Sequence, residues 1–145
     1  MLGDNFTPTE QYYRTRYYPA GGLYSTVNDL SHFLIAHMNE GIYNGTQILK
    51  KDTIELMHEI QNGNQIGYGL AWMHVSINGI SLSGHGGDLF GIDTWMLYNQ
   101  TQDFGVIYFA NGNPVYSALP YKGGYVLLWI FDLLFSKVGD LIEEM

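Results

Sequence analysis

Apolar positions recur at helical spacing in two stretches near the start of the chain. Val27, Leu30, Phe33, Leu34 and Met38 form one stripe, with the three- and four-residue spacing of an amphipathic helix. Ser25 or Thr26 is placed to cap that helix, which runs to about Glu40 and ends at Gly41. Ala20-Gly21-Gly22 before it reads as a tight loop. A second helix is predicted from near Asp52, with Glu55 three residues on as a capping-box pair and Ile54, Met57 and Ile60 on its buried face. Downstream the period changes to two. Strands are predicted at 67–77, 80–85, 92–99 and 104–111. Asn78-Gly79 is a hairpin signal, because both residues tolerate positive φ. The other links, 87–91 and 100–103, are short too, so the strands are expected to form an antiparallel meander. After a loop at 112–120, an apolar helix is predicted over about 121–136. Helix, helix, antiparallel sheet, helix is an α+β order, with the sheet flanked by helices.

Composition narrows the function. The 145 residues carry a net charge of −8 with six Lys plus Arg. No basic cluster exceeds Lys50-Lys51, which argues against nucleic-acid binding, since that needs concentrated positive charge. There is no cysteine, hence no disulfide, thiolate nucleophile or Cys-type zinc site. The five histidines include no H-x-x-x-H or H-x-H pair; no metal or other cofactor is expected. His32 and His37 lie five apart on the first helix, His58 on the second, and His74 in a strand. The run 125–135 is about half the roughly 20 residues of a membrane span, and Asp132 interrupts it, so no span is expected. The first residues do not read as a signal peptide.

The candidate chemistry lies in Ser83-Gly84-His85-Gly86-Gly87-Asp88. Along the strand, Ser81, Ser83 and His85 share one face and Ile80, Leu82 and Gly84 the other. His85 then stands on the polar face before two residues without side chains. Such backbone lets a substrate carbonyl approach N–H donors, as an oxyanion hole requires, beside a histidine, a side chain that can donate a hydrogen bond or relay a proton. On pattern alone a glycine turn with a surface histidine is the favoured reading. The search for a nucleophile is negative: the sequence contains no G-x-S-x-G, S-x-x-K or Y-x-N. Ser76-Ile77-Asn78 is formally S-x-N, but the hairpin accounts for Asn78.

Residues 19–30 (PAGGLYSTVNDL), then Tyr68-Gly69-Leu70-Ala71-Trp72, then Gly84-His85-Gly86-Gly87, resemble the C-terminal part of the β-lactamase-related serine hydrolases. That superfamily includes class C β-lactamases, penicillin-binding D-Ala-D-Ala carboxypeptidases and related esterases. The resemblance implies that the strand ending in His85 borders the active site, at the position that carries lysine in K-T-G and histidine in H-x-G. It gives His85 the substrate carboxylate or a proton-transfer role, makes the backbone N–H of Asp88 an oxyanion donor, and places Gly86 and Gly87 against substrate. It implies acyl-enzyme chemistry on an amide or ester bond, in a β-lactam, a D-amino-acid peptide or a simple ester. The family's nucleophile comes from S-x-x-K, with tyrosine of Y-x-N as base partner, and neither is in this sequence. The expectation is therefore a C-terminal fragment, inactive by itself: an irregular segment at 1–18, a partial domain at 19–136 and an acidic tail at 137–145. A non-catalytic module that pairs with itself or with a separate N-terminal half is the alternative. Family members often work outside the cytoplasm.

Overall fold

The computed structural model describes residues 18–61, 67–77, 79–89, 91–101, 103–111, 130–138 and 140. The segments 1–17 and 112–129, Asn78 of the hairpin pair and 141–145 of the tail lie outside the described residues, together with the expectations that rest on them. A single helical turn, α1 (Tyr18–Gly21), stands where a loop was expected. The first long helix, α2 (Val27–Met38), is capped as the sequence implies: the Thr26 side chain accepts a hydrogen bond from the Asp29 N–H at 3.0 Å. Asn44-Gly45, at φ of 48° and 74°, then turns a small hairpin of β1 (Ile42–Tyr43) and β2 (Thr46–Gln47). The Asn-Gly pair is the hairpin signal here too, though no strands were expected at this point. In α3 (Lys51–His58) the N-cap is Lys50, with no side-chain capping bond; the Asp52–Glu55 box is not what starts this helix.

The sheet is a five-stranded antiparallel meander in the order β3-β4-β5-β6-β7. Its strands are β3 (Gly67–Tyr68), β4 (Met73–Ile77), β5 (Ile80–Leu89), β6 (Ile92–Asn99) and β7 (Phe104–Ala110). The single strand expected at 67–77 is two, because the chain reverses at Gly69–Trp72. There Ala71 takes φ 63°, Gly69 N–H bonds Trp72 C=O, and Leu70 N–H bonds Met57 C=O, each at 2.8 Å. The other difference lies in β5, which does not end at His85. It stays paired with β6 through Gly86↔Trp95, Gly87↔Thr94 and Asp88↔Asp93 to Leu89↔Ile92. Gly86 and Gly87 are thus strand residues, not a turn.

Period-two alternation gives the sheet two different faces. Leu82, Leu97 and Val106 are buried with Phe131 and Phe135 from the helical residues 130–138, called α4 below. Leu34 of α2, Trp72 and Tyr98 form the core on the opposite face. A Cβ at Gly105 would stand 2.7 Å from Leu34 Cδ2, so the absent side chain is what lets α2 lie close on β7. The α2 stripe is rotated from the expected one. Val27 and Phe33 are partly exposed, while Ala36 and His37 are buried. Likewise Ile60, expected inside, is 55% exposed, and His58 takes the buried place.

Candidate active site

Register decides what surrounds His85. Strand β4 begins at Met73, opposite Gly84, so it does not run alongside residues 85–89. From His85 on, β5 has β6 on one side and no strand, among the described residues, on the other. In an antiparallel strand successive residues direct their N–H and C=O groups to alternate sides. Alternate backbone groups of 85–89 therefore point to the uncovered edge, which is the requirement for binding a carbonyl from outside.

The glycines keep this strand flat against its neighbour. A Cβ at Gly84 would fall 1.9 Å from Met96 C=O, and one at Gly86 would lie 3.0 Å from three atoms of the Trp95 indole. At Gly87 a Cβ would meet Thr94 Oγ1 at 2.7 Å. Close packing is thus one reason for glycine here, and the exposed edge is the second.

His85 is exposed, on the α2/α3 face of the sheet opposite Met96. Its Nδ1 lies 2.6 Å from Gly86 C=O. A carbonyl only accepts, so Nδ1 donates, and Nε2 is left as the acceptor of the neutral ring. Its outward nitrogen is therefore able to take a proton or, once protonated, to hold an anionic group. The Tyr68 ring stands edge-on at 6.4 Å, the one aromatic group that the fold brings beside His85 from the Tyr68–Trp72 segment. Asp88 is also exposed, but its side chain belongs to the opposite face. The structure thus brings His85 and Gly87 to one face and separates them from the Asp88 carboxylate.

Opposite Asp88, in register, sits Asp93. It is buried, accepts a bond from Trp95 Nε1–H at 3.0 Å, and has no partner for its second oxygen among the described residues. Burial first, and the charge of Asp88 after it, hold the Asp93 carboxyl above the usual carboxylate range. Sequence reasoning passed over Asp93; the signal was an acid at a core-facing position of β6.

A second constellation was missed altogether. His37, His58 and His74, from α2, α3 and β4, converge around Trp72 and Tyr98. Ring centroids are 5.7 Å apart for His37–His58 and 6.4 Å for His58–His74, and Trp72 lies 4.4 Å from His37 and 4.3 Å from His58. His74 Nε2–H donates to His58 C=O at 2.8 Å, so its Nδ1 accepts from Ser83 O–H at 2.9 Å. Gln100 donates to the Tyr98 oxygen at 3.0 Å, and Tyr98 O–H lies 3.1 Å from His58 Nε2. Burial, reinforced by the neighbouring His37 and His74, pushes His58 down to about 4. Burial also lowers His37. Both are neutral at pH 7. In sequence the five-residue spacing on α2 and the lone positions on α3 and β4 hid the cluster. The one signal was His58 four residues after Ile54, on the same helix face.

Among known proteins, the family model described as Beta-lactamase matches residues 2–128. A solved structure with similar fold is the octameric penicillin-binding protein homologue from Pyrococcus abyssi, with 24% sequence identity and a TM-score of 0.54. The match covers 77% of this chain and 24% of that one, so this chain spans about a quarter of that protein's length. At this identity the likeness concerns the fold. No curated protein sequence matches significantly.

Proposed function

Because the chain belongs to the beta-lactamase family, within the serine hydrolase superfamily, we propose that it supplies the substrate-side wall of an acyl-transfer site for an amide or ester bond. The observation that carries the reading is the stretch His85–Leu89: strand geometry held by β6, glycines where side chains would collide, and one edge that β4 leaves uncovered. In this reading a substrate lays its backbone or ring along that edge. The Asp88 N–H stabilises the oxyanion of the tetrahedral intermediate, since a donor fixed in place costs no reorganisation as charge develops. His85, with Nδ1–H tied to Gly86 C=O, presents Nε2 to the substrate carboxylate or to the proton in transfer. Gly86 and Gly87 admit the substrate to van der Waals distance of the strand.

The nucleophile is assigned to residues other than these 145. A serine acts as nucleophile only when a neighbouring base makes its deprotonation affordable, and the S-x-x-K and Y-x-N arrangements are absent from the sequence. The chain by itself is therefore a binding wall without hydrolase activity. β-Lactams, D-amino-acid peptides and simple esters all present a carbonyl that suits such a wall. The test is incubation of the 145-residue chain with a fluorescent penicillin and with a fluorophosphonate, followed by intact-protein mass spectrometry. The expected result is no adduct. A stoichiometric adduct on any serine of this chain would overturn the reading.

A further inference from the structure

Gly86 and Gly87 weaken the strand end on which the substrate wall depends. Neither has a side chain to pair across to β6, and glycine loses more freedom on ordering than any other residue. β4 lends no support there, since it begins opposite Gly84. Few side chains are left to fasten this end. Thr94 O–H donates to Gly87 C=O at 3.3 Å. One step on, Asp88 stands directly opposite Asp93. That placement brings Cβ atoms to about 4.5–5.5 Å on one face of the sheet, a gap that two Asp side chains can close.

Two charged carboxylates in that position would repel each other across the pair. The surroundings of Asp93 supply the alternative. It is 4% exposed. Its Oδ1 accepts from the Trp95 indole N–H, and its buried Oδ2 has no partner among the described residues. An indole N–H only donates, so Oδ1 is the acceptor and Oδ2 is the atom left to carry a proton. Burial above all, and the Asp88 charge with it, favour the protonated form over the opposing pull of the Trp95 bond. The other titratable groups on this face do not reverse that. Tyr108 on β7 is opposite Trp95, and its hydroxyl is pushed up by burial and then by Asp93. Asp132 and Lys137 on α4, and Asp140 after it, are exposed, with Lys137 bonded to Asp140.

We propose that Asp93 is a positioning residue of the site: its Oδ2–H donates to the Asp88 carboxylate across the β5–β6 pair and holds the backbone of Gly87 and Asp88 in the geometry that meets a substrate carbonyl. The functional half of this statement rests on the reading of residues 85–89 as a substrate wall. A carboxylate accepts several hydrogen bonds, so Asp88 takes this one beside any other it makes. The bond exists while Asp93 holds its proton. In the unfolded chain the carboxyl has its ordinary value, so the contribution is complete below that value and is lost as pH rises through the higher folded one. Above it two charges face each other and the strand end loosens.

The test is NMR on the isotopically labelled 145-residue chain between pH 4 and pH 8.5. The Asp93 carboxyl carbon is expected to titrate above the ordinary value of about 3.9. The Gly87 and Asp88 amide resonances are expected to move with the same midpoint, and their protection from hydrogen exchange to fall about tenfold across it, the scale of one hydrogen bond to a charged group. Asp93→Asn keeps an acceptor for Trp95 and offers Asp88 an N–H donor at every pH, so it should retain the protection and abolish the step. Asp88→Asn changes an exposed residue, keeps the fold, and should lower the Asp93 midpoint. Amides that ignore the Asp93 titration, a step that persists in Asp93→Asn, or an Asp93 midpoint unmoved by Asp88→Asn would each overturn the proposal. These measurements read the strand end and no reaction. A covalent adduct on this chain would therefore overturn the functional reading and leave the Asp93–Asp88 bond standing.

Discussion

The two faces of the one sheet are built on opposite principles. On the α4 face, Leu82, Leu97, Val106, Phe131 and Phe135 form a core of apolar side chains, with Asp93 buried further along β6 and bonded to Trp95, and Phe131 and Phe135 stack at 5.8 Å. On the α2/α3 face the apolar groups Leu34 and Trp72 share the interior with Tyr98, His37, His58 and the Ser83–His74 pair. The same strands contribute to both, with odd and even positions going to different sides. One face thus draws its stability mainly from apolar burial, with Asp93 as its buried acid. The other draws its stability from imidazoles that must remain neutral. A single residue's shift in register would exchange these roles, so the pairing Ser83↔Tyr98 and Gly84↔Leu97 is what keeps the two chemistries apart.

The comparison breaks most visibly at Leu97, which has no exposed surface. Leu97→Ala is expected to cost about 3–5 kcal/mol, the transfer free energy of the lost atoms plus a cavity. Urea unfolding at pH 7.5 and pH 5 should give the same loss relative to the parent at each pH, because both chains keep Asp93, the buried acid of that face, and its contribution cancels in the difference. A pH-dependent loss would merge the two faces.

Acid is expected to act on the other face. His58 has its folded value depressed to about 4, and His37 is depressed as well, from an ordinary value of 6.5. Above pH 6.5 both are neutral whether folded or unfolded, and stability is complete. Below it the unfolded chain binds protons that the folded chain refuses, so stability falls as pH falls, by about 1.4 kcal/mol per pH unit per histidine until the folded group titrates. Unfolding midpoints at pH 7, 6 and 5 check this. A His58→Gln variant should flatten the slope. A slope unchanged by that substitution would place the acid sensitivity elsewhere.

The smallest effect sharpens how α2 is held on the histidine face. Thr26→Ala removes the side-chain acceptor of the Asp29 N–H and is expected to cost about 1 kcal/mol. Amide hydrogen exchange should rise in α2 and leave α4 unaffected.

Much of the architecture was legible because it rests on local rules. Periodicity gave the two main helices and the meander, Thr26 signalled its own cap, and the Pro19–Leu30 and Gly84–Gly87 segments carried the family. What stayed hidden rests on contacts between distant segments. Glycine at 86 and 87 reads as a turn in sequence, since nothing local reveals that Trp95 and Thr94 will occupy the space of their side chains. The reversal at Gly69–Trp72 is fixed partly by Leu70 N–H reaching Met57 C=O on α3. Four of the five histidines looked unremarkable one at a time.

By itself, then, the sequence determined the period of each element, the α+β order, the family, and the absence of an S-x-x-K serine within these residues. All follow from short-range sterics, alternation and motif spacing. Only the tertiary structure decided that β5 outruns β4 to leave an open edge at His85, that Asp93 faces Asp88, and that three histidines from three elements share one interior. These depend on strand register and helix rotation, which are set by the packing of the whole chain.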